Sequence, residues 1–126
     1  MNHEKVALVF GGARGIGAAI AVRLAHEDYR IAVTWVSRPD RAQALVSTIE
    51  RQGGQAIAIE ADSADAAAIQ AAVDTTLQQY GRLDVVVVNA GVLRLGTIEA
   101  YSLADLDATL AVNVRGVFLA IQAAVK

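Results

Sequence analysis

The sequence predicts an α/β fold, a parallel sheet with helices on both faces. Short apolar runs rich in Val and Ile alternate along the chain with stripes of helical period. The runs are continuous rather than alternating in polarity, as strands are when both faces of a sheet are buried. Apolar types make up 55% of the 126 residues and charged types 19%, against a usual charged share of about 25%. Two buried faces account for that excess. The length suits one domain, residues 1–126.

The first strand is Val6-Ala7-Leu8-Val9-Phe10, followed by glycines. A helix then starts near Gly15, with Ile16, Ile20 and Leu24 expected on its apolar face and Arg23, His26 and Glu27 outside. Ile31 to Val36 reads as the second strand. Pro39 suits the first turn of a helix striped by Ala42, Leu45, Val46 and Ile49 and stopped by Gly53-Gly54. Ala56-Ile57-Ala58-Ile59 is the third strand. Ser63 is expected to cap a helix striped by Ile69, Val73 and Leu77, which Gly81 ends. Leu83 to Val88 contains the strongest β-branched run of the chain.

The last segment is a long helix. Ser102 and Asp105 form a capping pair at its start, and Leu106, Leu110, Val114, Val117, Phe118, Ile121 and Val125 keep helical spacing toward Lys126. No stop signal precedes Lys126, so the fold is expected to be truncated after the fourth strand and this helix. Leaving that stripe wet would forgo roughly 10–20 kcal/mol. A covering partner is therefore expected, with a homo-oligomer as its simplest form. A free edge on the fourth strand adds to that expectation.

Charge and composition exclude several function classes. Eleven Lys and Arg against thirteen Asp and Glu leave a net charge of -2, with no cationic cluster for a nucleic acid. Zero cysteines exclude a disulfide framework, a thiolate metal site and a cysteine nucleophile. No apolar stretch approaches ~20 residues, so no membrane span is expected. The opening residues lack the pattern of a secretory signal. A cytoplasmic protein is the expectation, and no metal site is foreseen. His3, His26, Asp107 and Trp35 read as ordinary surface, capping or packing residues.

The informative segment is Gly11-Gly12-Ala13-Arg14-Gly15-Ile16-Gly17, between the first strand and the first helix. That order forms a dinucleotide phosphate site of Rossmann type. Gly11 permits the tight turn, and Gly15 lets backbone approach a pyrophosphate. Gly17 lets the helix lie close to the sheet. The helix start supplies free N–H groups and partial positive charge.

The spacing of Gly11, Gly15 and Gly17 resembles the short-chain dehydrogenase/reductase family. Asn89-Ala90-Gly91 resembles that family's Asn-Asn-Ala-Gly motif, Asp62 its adenine-contacting Asp, and Asn113 its active-site Asn. Two departures stand out. Phe10 replaces a common Thr, removing a hydroxyl able to tie the loop down, and Val88 replaces the first Asn of the second motif. The resemblance implies hydride transfer between a nicotinamide and a carbonyl or alcohol of a small molecule, with 3-oxoacyl-type reduction among the candidates. It also implies that the final helix lies in a dimer or tetramer interface.

The second strand ends in Thr34-Trp35-Val36-Ser37-Arg38, with no acid before Asp40 to receive a ribose 2′-OH. Arg14, Ser37 and Arg38 are suited to an extra phosphate. NADP(H) is favoured over NAD(H). The cofactor set expected is Gly11, Arg14, Gly15, Ile16, Gly17, Ser37, Arg38, Asp62, Ser63, Asn89, Ala90 and Gly91. Leu93, Arg94 and Leu95 are placed at the pocket mouth.

By resemblance, the chemistry uses a Tyr whose pKa is lowered by a Lys four residues later, a Ser, and a helix Asn. Of these only Asn113 is present. Val33, Asp84 and Asp105 lie four residues beyond Tyr29, Tyr80 and Tyr101, and the lysines are Lys5 and Lys126. Asn113 has a second reading, as an amide that merely bonds the neighbouring strand loop. Two alternatives to an oxidoreductase part stand beside it: a dinucleotide-binding module without turnover, and an assembly fragment.

Overall fold

A computed structural model describes residues 5–125, so that His3 and Lys126 lie outside the described residues. Four parallel strands form one sheet in the order β3-β2-β1-β4, with β1 at Val6–Phe10, β2 at Arg30–Trp35, β3 at Ala56–Glu60 and β4 at Val85–Val88. The chain moves outward from β1 to β3, then crosses back to lay β4 on the other side of β1. The α/β architecture expected from the sequence is present.

Side chains of successive strand residues point to opposite faces, and each face has its own helical layer. Ala7, Val9, Ile31 and Val33 meet α1 (Gly15–His26) and α2 (Pro39–Arg51) through Ala21, Leu45, Val46 and Ile49. Leu8, Phe10 and Ala32 meet α3 (Ala66–Tyr80) and α5 (Val117–Ala124) through Ile69, Ala72, Val73, Ala120 and Ala123. Every residue of β1 is buried, whereas β3 and β4 are only half-covered. Their uninterrupted apolar runs suggested full burial. They are the two outer strands among the described residues, which explains the difference.

Helix boundaries mostly follow the punctuation. Pro39 opens α2, and Gly53 and Gly81 take positive φ after α2 and α3. Asp28, with φ 67°, does the same after α1 without a glycine to announce it. Several details are corrected. The α1 face against the sheet is built on Gly17 and Ala21, with Ile20 and Leu24 packed at its margin, while Ile16, one residue and so about 100° off that line, is exposed. On α3, Thr76 is buried and Leu77 exposed; the Thr76 hydroxyl escapes the cost of burial by donating to the Ala72 carbonyl at 2.8 Å. Ser63 does not cap α3. The cap is Asp65, whose carboxylate accepts from the N–H groups of Ala67 and Ala68.

The final segment is α4 (Leu103–Leu110), a π-helical stretch (Ala111–Gly116) and α5 in unbroken succession. Ser102 caps α4 by accepting from the Asp105 N–H, but the Asp105 carboxylate turns to Arg94 at 3.0 Å instead of completing the box. The face toward the sheet and α3 is made of small residues, Gly116, Ala120 and Ala123. The large stripe of Leu106, Leu110, Val114, Phe118, Ile121 and Val125 points outward. No helix among the described residues is long and apolar enough to cross a membrane.

Below the sheet, Asp84 joins the starts of two strands. Its N–H donates to the Val6 carbonyl at 2.9 Å, and its carboxylate accepts from the Val6 N–H at 2.8 Å. Arg82 adds a two-pronged contact at 2.8 and 2.6 Å. The Arg82 hydrogen bonds and then the Val6 N–H hold the Asp84 carboxyl below its ordinary range. A depressed carboxyl stabilises the fold above its unfolded pKa, near 4, and that contribution is lost as pH falls through the folded value. Asp84→Asn is expected to lower stability at pH 7 by about 1 kcal/mol. In urea titrations the gap between variant and parent should begin to narrow as pH falls below about 5 and keep narrowing below the unfolded value near 4; a gap that stays constant as pH falls below that value would exclude the carboxylate as its source.

Candidate cofactor site

In open α/β sheets ligands sit beyond the carboxyl ends of the strands, where the strand order reverses. Here that point lies between β1 and β4. Two loops flank it, 11–17 after β1 and 89–93 after β4, and they touch because side chains are absent. Gly11 has φ 73°, and a Cβ on it would lie 2.8 Å from the Ala90 Cα. A Cβ on Gly17 would collide with the Gly11 carbonyl and lie 2.6 Å from the Asn89 side-chain nitrogen. Gly12, to which the sequence assigned no role, presses on Val33 of β2.

Hydrogen bonds fix the loop from both sides. The Gly11 N–H donates to the Thr34 hydroxyl at 2.9 Å, and the Gly12 N–H to the Thr34 carbonyl at 3.2 Å. From the other side, Asn89 Nδ2 donates to the Gly11 carbonyl at 3.0 Å. Thr34 is fully buried at the end of β2. It supplies from the adjacent strand the hydroxyl that Phe10 lacks. Sequence reading treated Thr34 as strand, although a Thr inside an otherwise apolar run was the available signal.

The start of α1 is bare. Arg14 occupies the cap position in extended conformation, and its side chain accepts nothing from the first turn. In α3 and α4, by contrast, Asp65 and Ser102 satisfy first-turn N–H groups. Gly15 has φ 56°, and a Cβ there would meet no atom within 4 Å. Unpaired N–H groups, partial positive charge and an open face suit a diphosphate. The residues present fit the phosphate end of a dinucleotide. Arg14 also lines a cleft of about 720 Å³ with Ala90, Gly91, Val92, Leu93, Arg94 and Asn113. Leu95 is exposed but does not line it.

The remaining expected residues divide. Ser37 is exposed just after β2. Arg38 grips Asp40 through two contacts of 3.1 and 2.9 Å, and each charge favours ionisation of the other. Arg38 is therefore partnered, while the Arg14 side chain has neither hydrogen bond nor ion pair among the described residues. Asp62 is exposed, with one carboxylate oxygen accepting from the Ala64 N–H at 2.9 Å. Ser63 is buried beneath it. Asn113 uses both ends of its amide on one residue: Oδ1 accepts from the Val92 N–H, and Nδ2 donates to the Val92 carbonyl, each at 2.8 Å. It fastens the β4 loop.

No tyrosine resembles an acid–base group. The Tyr80 hydroxyl donates to the Ile31 carbonyl at the start of β2, far from the glycine loop, under the Arg30 guanidinium. Burial pushes it up to about 12. Tyr101 donates to the Arg94 carbonyl at 2.8 Å, and Tyr29 packs against the core.

A parallel sheet ordered 3-2-1-4 with a bare helix start at its reversal point is the arrangement of the Rossmann-type α/β fold. Residues 5–126 match the family described as short chain dehydrogenase. The chain belongs to the short-chain dehydrogenase/reductase family. It is 52% identical to a short chain dehydrogenase from Burkholderia cenocepacia solved in complex with NADP, with TM-score 0.94 over 97% of this chain and 50% of that one. It is 45% identical to D-threitol dehydrogenase of Mycolicibacterium smegmatis, covering 94% of this chain and 45% of the relative. It is 39% identical to the 3-oxoacyl-[acyl-carrier-protein] reductase FabG of Staphylococcus aureus, covering 98% and 50%. The chain thus spans about half the length of the curated relatives it matches.

Thr34→Val keeps the shape but leaves the Gly11 N–H without its acceptor, and is expected to cost about 1–2 kcal/mol. Thr34→Ser, which restores the hydroxyl, should recover most of that loss in chemical unfolding. Equal stability of the two variants would show that the hydroxyl does not anchor the loop.

Proposed function

We propose that this chain is the cofactor-binding part of an NADP(H)-dependent oxidoreductase of the short-chain type. The whole protein would move hydride between a nicotinamide and a carbonyl or alcohol carbon of a small molecule. The observation that carries this reading is the uncapped start of α1 behind Gly15, at the reversal point between β1 and β4. Resemblance to a 3-oxoacyl reductase and to a polyol dehydrogenase supports a substrate with a C=O or secondary C–OH.

The roles follow from placement. The N–H groups of the first turn of α1, around Gly15, Ile16 and Gly17, hold the diphosphate, and Gly11 keeps the turn tight. Arg14, whose side chain is unpaired among the described residues, is suited to receive a 2′-phosphate, together with Ser37 and with Arg38 once it leaves Asp40. Asp62 and Ser63 bound the adenine end. Asn89, Ala90 and Gly91 shape the nicotinamide end, with Asn113 holding their loop through Val92. The nicotinamide, when bound, supplies or accepts the hydride. Cofactor binding and orientation are this chain's own share of the work.

The preference for NADP(H) rests on Arg14, on the lack of an acid before Asp40, and on the NADP-bound Burkholderia relative. Titration of the 126-residue chain followed by nicotinamide fluorescence should give tighter binding of NADPH than NADH. Arg14→Ala should weaken NADPH about tenfold or more and leave NADH nearly unchanged, as for loss of one charge-assisted contact. Equal affinities in the parent would overturn the preference, and no binding of either nucleotide would overturn the function.

The exposed stripe on α4 and α5 supports a second copy of the chain as partner. Sedimentation should show concentration-dependent association that Phe118→Glu weakens. A strictly monomeric parent would remove the homo-oligomer from this proposal.

A further inference from the structure

The π-helical stretch Ala111–Gly116 touches two loops that the sheet keeps apart. On one side, Asn113 binds both backbone groups of Val92 after β4. On the other, Arg115 Nη1 donates to the Ala64 carbonyl after β3 at 3.1 Å, a contact between residues 51 apart in sequence. β3 and β4 are the two outer strands of the sheet, with β2 and β1 between them.

Two further observations show that the second contact belongs to a packed junction. Gly116 is buried, and a Cβ on it would collide with the Ser63 carbonyl, so helix backbone lies directly on loop backbone. Ser63 is itself buried, and Asp62, its neighbour, folds the loop by accepting from the Ala64 N–H while its own carbonyl accepts from Asp65. Residues two apart on a helix face different directions, so Asn113 and Arg115 reach opposite loops from one segment. π-helical turns recur where a helix must re-aim side chains at a functional site.

We propose that Arg115 is a positioning residue: from the π-helical stretch it holds the 62–64 loop in place and so sets affinity for the adenosine end of the cofactor, as Asn113 does for the loop at the nicotinamide end. The ligand half of this inference rests on the dinucleotide reading above; the mechanical half does not. Because the Arg115 hydrogen bond goes to a backbone carbonyl of the loop, its effect is transmitted through the placement of Asp62 and Ser63.

The test compares the parent chain with Arg115→Ala and Arg115→Lys by amide hydrogen exchange and by binding of two half-ligands, 2′,5′-ADP and reduced nicotinamide mononucleotide. In Arg115→Ala, exchange at Ala64 and Asp65 should rise about tenfold and 2′,5′-ADP should bind about tenfold more weakly, the loss of one charge-assisted bond. Reduced nicotinamide mononucleotide should bind unchanged. Arg115→Lys, which keeps a donor, should recover part of both effects. Unchanged exchange at Ala64 and Asp65 overturns the fastening, and equal weakening of the two half-ligands overturns the assignment to the adenosine end. A parent that binds neither half-ligand overturns the dinucleotide reading, and the adenosine role with it, while the exchange data still judge the fastening.

Discussion

Everything at the carboxyl end of this sheet depends on backbone being allowed to approach backbone. The loops after β1 and β4 meet at Gly11 and Ala90, and α1 descends onto that junction through Gly17. One methyl group at either glycine would drive the two loops apart or lift the helix. The same absence of side chains leaves the amides at the start of α1 open to a ligand. Close packing and the open helix start therefore share a single cause, and a side chain added at Gly11 or Gly17 would disturb the junction that holds them.

The helical layers obey a related rule. The long final helix presents Gly116, Ala120 and Ala123 inward and its large residues outward, the reverse of an ordinary amphipathic helix on a core. Small residues let it lie close to β4 and α3, and that closeness brings Asn113 and Arg115 within reach of their loops. The outward stripe is left exposed among the described residues. Short range inside and long side chains outside are two aspects of one design.

Much of this was legible in the sequence. The continuous runs of β1 and β2 announced a doubly covered sheet, and the glycine spacing announced the loop together with its place before α1. What sequence could not carry were the facts that depend on proximity. Ile16 and Leu77 fit helical spacing but fall on exposed surface, because period gives a face and not its depth. Asp65 displaced Ser63 as cap by a shift of two residues, well within the ambiguity of a segment holding Asp62, Ser63 and Asp65 together. The pairing of Arg38 with Asp40 and the double bond of Asn113 to Val92 required coordinates. So did the π-helical stretch, which has no signature in hydrophobic period.

Thr34 carries one more consequence. Because the hydroxyl that anchors the glycine loop on this side sits on β2 rather than on β1, that anchor depends on the pairing of those two strands. A fluctuation that peels β2 and its helix from the centre would strip both Thr34 bonds from the turn in the same motion, leaving the Asn89 contact to hold it. Ligand captured by that turn would, by linkage, tighten a strand seam it never touches.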